Sequence, residues 1–366
     1  STVFDDAGKP CTVTGKSEVH IDPLGTYRVT FDDGSQIVAG GGHEWQTWTD
    51  KERRQLMSRS PEWRARRRPM RASRGTGARP WLSARNTILA ASYEPQAVSG
   101  AIRTTAMIAD TLQVRDGSRT NHAIRLGGPW EMHTQPLPRD PYVLGVWLGD
   151  GHTAGARITS ADPEIMAEVD AAGFPSTPQG SYLWRCDGLR DGLKAAGVWK
   201  TGKRVPDVYL RASQPQRLAL LQGLMDTDGC CDRDRSSVFT NTNEGLARSA
   251  YTLAASLGLK PHWKEDRATL YGKDCGPNYE VRWTHTLPVF RLPRKRDRLP
   301  TTLRTTQGYR YIVGCERIPD VPVQCIEVDS PSHQYLCGTA GIPTHNSTSI
   351  RRILYEFAKQ IPGFHA

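Results

Sequence analysis

Two segments of this chain repeat one pattern, a short apolar run that contains a central glycine and ends in an aspartate followed by a second glycine. The first segment covers residues 143–151 and the second covers residues 221–229. Each run predicts a short apolar helix, and a small central residue, Gly145 or Gly223, lets another helix approach closely. We therefore expect two packed helices that end at Asp150 and Asp228.

The repetition continues beyond the two apolar segments. Residues 158–165 and residues 239–246 each predict a strand that ends at the start of a helix, with Asp162 or Asn243 as the cap of that helix. A pair of buried core helices capped by glycine would explain either copy alone. The repeat of the whole pattern favours two similar α/β halves.

This repeat resembles the LAGLIDADG homing endonucleases. The resemblance implies that the two helices bring Asp150 and Asp228 to one shared metal site. Carboxylates suit Mg²⁺, which activates water and stabilises the leaving oxygen during phosphodiester hydrolysis. The resemblance also implies double-stranded DNA as the substrate and Lys203 as a group that orients the attacking water. The first copy departs from the family in having Leu148 where the second copy has Asp226.

A second reactive pattern lies at residues 342–347, which read Ile-Pro-Thr-His-Asn-Ser. The carboxamide nitrogen of Asn346 can attack its own main-chain carbonyl to form a succinimide, while His345 donates a proton to the leaving amide. The hydroxyl of Ser347 can hold an acyl group in the meantime. His-Asn-Ser is also an ordinary polar turn, so the surrounding sequence decides between the two interpretations.

The surrounding sequence is typical of strands. Residues 323–337 alternate apolar and polar side chains and predict two strands joined by a Ser-Pro turn, with Cys325 on the first strand. Residues 27–38 predict a hairpin with an Asp-Gly turn, and the chain then runs into His43 and Trp45. Taken singly, Cys325 and Trp45 would be core residues and His43 a loop residue.

Together these segments resemble an intein. The resemblance implies an all-β splicing domain of the Hint type, with one active-site histidine from its first half and a His-Asn dyad on its last strand. Class 3 inteins lack a nucleophile at their first residue and use a Trp-Cys-Thr triplet instead, with the cysteine as the nucleophile. The residues that match the family, and are therefore expected to act in splicing, are His43, Trp45, Cys325, Thr344, His345, Asn346 and Ser347.

We therefore expect a multidomain chain in which an all-β Hint domain is interrupted by an α/β LAGLIDADG endonuclease with two pseudo-symmetric halves. The Hint domain is expected over residues 1–138, with a basic insertion at about 51–95, and again over residues 306–346. The endonuclease is expected over residues 139–305. Residues 347–366 show helical spacing and are expected to be a host helix, the C-extein.

The expected host helix opens with Ser347-Thr348, which suits the end of a phosphate-binding loop whose hydroxyl reaches Mg²⁺. We therefore expect the host protein to be a P-loop ATPase such as a phage terminase or a helicase. The family's usual residues before the first hairpin have no match here. The resemblance thus implies that an N-terminal intein segment and the N-extein are supplied in cis or in trans, and a decayed gene is the remaining alternative.

The net charge of +10 favours a polyanionic partner. Much of this charge lies in Arg53-Arg54, in residues 64–79 and in residues 291–298, for which DNA contact and a solvated loop are equal alternatives. No segment predicts a membrane span or a signal peptide, so we expect a cytoplasmic monomer in a bacterial or phage-infected cell. Three functions stay open at this point: splicing with DNA cleavage, DNA cleavage with an inactive or incomplete splicing domain, and DNA binding alone.

Overall fold

The structure is a computed structural model that describes residues 1–59, 100–115, 117–153, 155–200 and 203–346. The chain begins with a part rich in strands, continues through a part that alternates helices and strands, and returns to strands. Within the described ranges, no helix is both long enough and apolar enough to cross a membrane.

In its described residues, 1–59 and 100–138 apart from 116, the first part combines strands with two helices. Its elements are β1 (Thr2–Phe4), β2 (Pro10–Lys16), β3 (Thr26–Phe31), β4 (Gln36–Gly40), β5 (Glu44–Thr47), α1 (Asp50–Arg59), β6 (Ala101–Thr104), α2 (Thr105–Asp110) and β7 (Ala123–Arg125). The predicted Asp-Gly hairpin is confirmed, because β3 and β4 pair antiparallel around Gly34, whose φ is +82°. This region was expected to be β-rich apart from its basic stretch. The helix α2 is an addition that short local patterns did not predict.

The middle part repeats one order of elements, helix, two strands, helix, two strands. The first copy consists of α3 (Pro141–Asp150), β8 (Gly151–His152), β9 (Arg157–Thr159), α4 (Pro163–Ala171), β10 (Ser176–Pro178) and β11 (Leu183–Cys186). After α5 (Leu189–Ala195) and α6 (Asp207–Leu210), the second consists of α7 (Gln214–Asp228), β12 (Gly229–Cys231), β13 (Ser237–Asn241), α8 (Glu244–Ser256), β14 (His262–Leu270) and β15 (Lys273–Trp283).

The two copies also share one strand order. The sheets run β8-β9-β11-β10 and β12-β13-β15-β14, so the third and fourth strands exchange places in both. The expected helix caps are confirmed: Asp162 accepts a hydrogen bond from the Glu164 N–H, and Asn243 accepts one from the Leu246 N–H. The middle part therefore consists of two similar α/β halves with one buried core between them.

The last part completes sheets that the first part begins. It follows α9 (Pro293–Arg296) and contains β16 (Tyr309–Ile318), β17 (Ile326–Val328), β18 (Gln334–Cys337) and β19 (Ile342–His345). In these sheets β16 lies between β3 and β7, while β17 pairs with β2. Two segments that are distant in sequence thus build one β-rich unit, whose core includes Phe31, Trp45, Ile312 and Ile342.

Two expectations about this β-rich unit are wrong in detail. Cys325 does not lie on a strand, because β17 begins one residue later, at Ile326. Arg53 is not available for DNA, because it lies on α1 with 7% of its surface exposed. Its guanidinium donates to the carbonyl oxygens of Trp48, Thr120 and Asn121. The basic stretch at residues 64–79 lies outside the described residues.

Candidate active sites

The helices α3 and α7 cross at their two central glycines. A methyl group built on Gly145 would lie 3.0 Å from the Cα of Gly223, and one built on Gly223 would lie 2.9 Å from the Cα of Gly145. A side chain at either position would therefore force the helices apart. On α7 the capping box of Ser213 and Gln216 fixes where the helix begins. This close crossing brings the C-terminal ends of both helices together.

Each of these helix ends carries one of the two predicted carboxylates. The pKa of Asp150 is raised to about 6, chiefly by burial and next by the negative charge of Asp228. The pKa of Asp228 is also raised by burial, although Asn241 donates a hydrogen bond of 2.7 Å to its Oδ2. Two carboxylates that disfavour each other's charge, close to cations, are typical of a functional site.

Lys203, the third predicted residue of this site, lies beside both carboxylates. Its Nζ donates to the carbonyl oxygen of Gly149 at 2.5 Å, at the end of α3. Burial lowers the pKa of Lys203, and the charges of Asp228 and Asp150 oppose that effect. Asn243 also donates to the Lys203 carbonyl oxygen at 2.9 Å, which ties this lysine to the cap of α8.

Lys295 is a residue of this site that sequence reasoning missed. Its Nζ donates to the carbonyl oxygens of Met225, Asp226 and Gly229, at 3.1, 2.6 and 2.7 Å, around the end of α7. Its positive charge lowers the pKa of both Asp150 and Asp228. Each half thus supplies one lysine after its own last strand. Extending the repeat to that point would have found Lys295, which was instead grouped with a basic surface run.

The neighbours of Lys295 in that basic run make contacts within the protein. Arg291 lies over the ring of Tyr142 and forms an ion pair of 3.1 Å with Glu168. Arg294 forms an ion pair with Asp162. Arg291 and Lys295 are therefore held by contacts within the protein, whereas Arg294, Arg296 and Arg298 are exposed. DNA contact by these exposed arginines stays a prediction.

Leu148 and Asp226 occupy the position at which the two copies differ. Leu148 is buried with none of its surface exposed, and Asp226 is 1% exposed. The hydroxyl of Tyr142 donates to Asp226 at 3.0 Å, and the backbone N–H of Arg291 donates to the same carboxylate. Asp226 therefore holds the helices and the following segment together and does not belong to the half-buried carboxylate pair of Asp150 and Asp228.

The donor chemistry of the carboxylate pair fits a hard divalent cation. Carboxylate oxygens, main-chain carbonyl oxygens and water are the ligands that such ions prefer. Among the described residues, no group of three or more His, Cys, Asp and Glu side chains has a geometry that would hold a metal. A cation here would therefore be held by Asp150 and Asp228, with its other ligands from water or a bound phosphate.

The second group of predicted residues meets in the β-rich unit. The imidazole Nε2 of His43 forms a hydrogen bond with the hydroxyl of Thr344. The rings of His43 and Trp45 meet edge to face, with their centroids 5.0 Å apart. Cys325, Thr344 and His43 line one pocket with a volume of about 250 Å³. The structure thus brings all four residues to one place, although they come from opposite ends of the chain.

Burial sets the charge of His43, and hydrogen bonds position Cys325. Burial, and next the positive charge of the nearby His345, lower the pKa of His43 to about 4. The backbone N–H of Cys325 donates a hydrogen bond of 3.0 Å to the Ser17 hydroxyl oxygen, while the Cys325 carbonyl oxygen accepts from the Ser17 N–H. These bonds fix the backbone of Cys325 against the segment that follows β2.

Thr105 is a second residue that sequence reasoning missed. It is fully buried at the start of α2, where it accepts a hydrogen bond of 3.0 Å from the Trp45 indole. Its own hydroxyl donates to the His43 carbonyl oxygen at 3.2 Å. Thr105 therefore joins Trp45 to His43. A lone threonine before a short helix carries no signal of this role in the sequence.

The His-Asn dyad lies at the end of β19. His345 Nδ1 is 2.7 Å from the carbonyl oxygen of Asn346, the carbonyl that succinimide formation would attack. Asn346 is 5% exposed, its backbone N–H donates to the His333 carbonyl oxygen at 2.7 Å, and its Nδ2 donates to the Val328 carbonyl oxygen at 3.5 Å. Ser347 and the expected host helix lie outside the described residues.

Comparison with known proteins finds a family match in the middle part of the chain. The family model for a LAGLIDADG-like domain matches residues 215–299, which include α7 and the second half of the repeat. A solved structure of an I-DmoI variant in complex with its target DNA and manganese is 14% identical. It covers 46% of this chain and 96% of its own, with a TM-score of 0.28.

Two curated relatives are replicative DNA helicases of the DnaB type. The helicase of Mycobacterium intracellulare is 34% identical over 345 residues, which are 93% of this chain and 53% of the helicase. The helicase of Mycobacterium leprae (strain TN) is 45% identical over 56 residues, which are 15% of this chain and 9% of the helicase. This chain therefore spans about half of the longer match's length.

The family match confirms the LAGLIDADG resemblance for residues 215–299. The chain carries a LAGLIDADG-like domain of mixed α/β structure. Its alignment with a DnaB helicase over nearly the whole chain fits an intein inserted in a host protein of that kind.

Proposed function

We propose that this chain is an intein that joins protein splicing to site-specific cleavage of double-stranded DNA. The observation that carries the nuclease activity is the pair of carboxylates, Asp150 and Asp228, at the ends of two crossing helices. The observation that supports splicing is the meeting of His43, Trp45, Cys325 and Thr344 beside the His-Asn dyad. Each activity has its own test.

In the nuclease, the deprotonated carboxylates of Asp150 and Asp228 would hold Mg²⁺. When bound, the ion supplies a Lewis acid that activates water and stabilises the leaving oxygen of the phosphodiester. Lys203 and Lys295 place two ammonium groups beside the carboxylates, where they can pair with the charge of a scissile phosphate. Lys203 is the group that we assign to orienting the attacking water.

The nuclease is tested on host DNA that lacks the insertion. Linear DNA that spans the uninterrupted helicase gene is incubated with the purified chain and Mg²⁺, and double-strand breaks are mapped. Asp228→Asn should bind the same DNA while cleaving it more than about 100-fold more slowly, since changes outside the metal ligands already cost 10–100-fold. Binding without cleavage by the unmodified chain would contradict the nuclease and favour a DNA-binding protein.

In splicing, the Cys325 thiol attacks the carbonyl carbon of the upstream splice junction, which releases the junction's amine and leaves the N-extein as a thioester. His43 assists by polarising that scissile amide. The Ser347 hydroxyl then takes the acyl group and frees the thiol. Asn346 cyclises with help from His345 and releases the intein, after which an O-to-N acyl shift forms the peptide bond between the exteins.

Splicing is tested by supplying the upstream segment and N-extein in cis. We expect a ligated host product from the unmodified chain. The Cys325→Ala variant should lose ligation but keep cleavage after Asn346, whereas Asn346→Ala should stop at the branched ester. Unchanged ligation in Cys325→Ala would contradict its assignment as the nucleophile. DNA cleavage without any splicing would leave the nuclease as the chain's activity.

The host and setting follow from the same proposal. The predicted P-loop ATPase host is supported by the alignment with DnaB helicases, which fits the helicase alternative and not the terminase. Expression in the cytoplasm of a bacterial cell would then place both activities next to the host gene. The sequence of the surrounding open reading frame tests this. A helicase host of this kind requires a glycine-rich stretch ending in lysine at the end of the N-extein, which splicing would join to Ser347.

A further inference from the structure

Glu44 lies against the His-Asn dyad through an arrangement of three strands. Gln334 of β18 is the cross-strand partner of His345 on β19. The Gln334 side chain donates a hydrogen bond of 2.7 Å to Gln46 of β5. Because side chains two apart on a strand share a face, Glu44 and Gln46 point to the same side of β5. The bond between the two glutamines therefore holds Glu44 opposite His345.

The contacts of His345 Nδ1 are both made by hydrogen-bond acceptors. The Asn346 carbonyl oxygen is 2.7 Å away and the Glu44 Oε2 is 3.5 Å away. A carbonyl oxygen and an ionised carboxylate accept hydrogen bonds and cannot donate them, so a proton on Nδ1 satisfies both. The arrangement selects the form of the imidazole in which Nδ1 carries hydrogen.

We propose that Glu44 is a positioning residue for cleavage after Asn346. It holds the His345 ring with the Nδ1 hydrogen directed at the Asn346 carbonyl oxygen. This inference rests on the proposed splicing function and adds to it a residue outside the intein motif. Glu44 does not touch the reacting atoms and acts through His345.

The chemistry explains why this orientation matters. Asn346 Nδ2 forms a bond to the Asn346 carbonyl carbon, and negative charge develops on the carbonyl oxygen. A hydrogen-bond donor already aimed at that oxygen stabilises the charge without reorganisation. The bond from the carbonyl carbon to the next residue's nitrogen then breaks. Nδ2 loses one proton and the departing nitrogen gains one, so the proton count is conserved.

Other titratable groups face His345 without supplying negative charge. The His333 ring lies on the preceding turn, with its centroid 6.3 Å from that of His345. His43, whose low pKa reflects in part the neighbouring His345, lies before β5. A neutral or positive imidazole cannot replace the carboxylate of Glu44 in orienting an N–H group.

The test compares Glu44→Gln with Glu44→Asp. Glu44→Gln keeps the size of the side chain and removes its charge, while Glu44→Asp keeps the charge on a shorter side chain. The matched control is Glu316→Gln, which removes an exposed carboxylate from β16 of the same unit. The first readout is the rate at which the segment after Asn346 is released at neutral pH.

We expect Glu44→Gln to slow this release at least about 10-fold, which is less than the 10²–10³-fold cost of losing an oxyanion donor itself. Glu44→Asp should recover part of the rate, and Glu316→Gln should leave it unchanged. Release at the unmodified rate in Glu44→Gln would overturn the proposal.

The second readout is the ¹⁵N chemical shifts of the His345 ring, measured in chains that also carry Asn346→Ala so that they stay intact. His345→Gln assigns the signals. We expect Nδ1–H in the parent chain and a mixture of tautomers with Glu44→Gln, and an unchanged tautomer would overturn the proposal. This readout does not need splicing. A parent chain that releases nothing would contradict the proposed splicing, while the ring signals would still decide the role of Glu44.

Discussion

The imidazole of His43 and the hydroxyl of Thr344 are joined by a hydrogen bond across 301 positions of sequence. His43 follows β4 in the first part of the chain, and Thr344 lies on β19, one residue before His345. The bond therefore links the N-terminal histidine of the proposed splicing centre directly to the strand that carries its His-Asn dyad. With a pKa of about 4, His43 is a neutral imidazole at neutral pH.

The low pKa of His43 predicts a loss of stability in acid. The ordinary pKa of histidine is about 6.5, so between about pH 6.5 and pH 4 the unfolded chain binds a proton that the folded chain does not. Stability should therefore be complete above that range and fall as the pH drops through it. We expect His43→Gln to reduce the fall of the guanidinium midpoint between pH 7 and pH 4.5.

Two comparisons control this measurement. His122 also has a pKa lowered to about 4, by burial and then by Arg103 and Arg53, so His43→Gln should remove part of the acid sensitivity and His122→Gln another part. His133 is exposed, and His133→Gln should leave the dependence as it is. An identical acid response in His43→Gln and the unmodified chain would contradict a buried, neutral His43.

The pKa of Asp150, about 6, predicts how DNA cleavage depends on pH. A carboxylate must lose its proton to bind a metal, and the metal in turn favours the deprotonated form. Cleavage at low Mg²⁺ should therefore fall as the pH drops through about 6, and higher Mg²⁺ should move the midpoint to lower pH. A pH midpoint that does not change with the Mg²⁺ concentration would exclude Asp150 as a ligand.

The same pKa predicts the stability of the metal-free chain with the opposite sign to that for His43. The folded pKa of Asp150 lies above its ordinary value, so protonation favours the fold, and this contribution is lost as the pH rises through about 6. We expect Asp150→Asn to raise the thermal midpoint at pH 7.5 without metal and to have little effect at pH 4. A lower midpoint at pH 7.5 would show that burial is not what shifts this group.

The glycine crossing predicts a large cost for adding one methyl group. Gly223→Ala would place its Cβ against the backbone of α3, and overpacking of this kind costs about 1–3 kcal/mol or more. Gly245→Ala is the matched control, since Gly245 is exposed on α8 and alanine there should stabilise by up to about 1 kcal/mol. Equal free energies of unfolding for the two variants, measured in guanidinium, would contradict the close packing.

Sequence predicted the repeated elements well because their signals are local. An apolar run, a central glycine and a capping Asp or Asn each lie within a few residues, and they located α3, α7 and the caps of α4 and α8. The pairing of β3 with β16 depends on residues far apart in the chain. The intein resemblance indicated this shared unit, which alternation of side chains alone does not predict.

The residues that sequence reasoning missed share one property, which is that tertiary contacts define them. Lys295 looked like part of a charged surface because it stands in a basic run. The contacts of its Nζ with carbonyl oxygens of another element leave no signal in the sequence. No local pattern singles out Thr105 or Glu44, because their contacts are made with residues of other elements. For Arg53 the error is the reverse, because a surface role was predicted and the residue is buried. A buried arginine that donates to three carbonyl oxygens has the same sequence signature as an exposed one.

The most direct test of the splicing centre is the intact mass of the purified chain over time at neutral pH, beside an Asn346→Ala control. Our account predicts that a species ending at Asn346 accumulates and that the segment of residues 347–366 is released, while the control keeps its full mass. Full mass in both chains, or equal release from the control, would contradict a competent His345–Asn346 dyad.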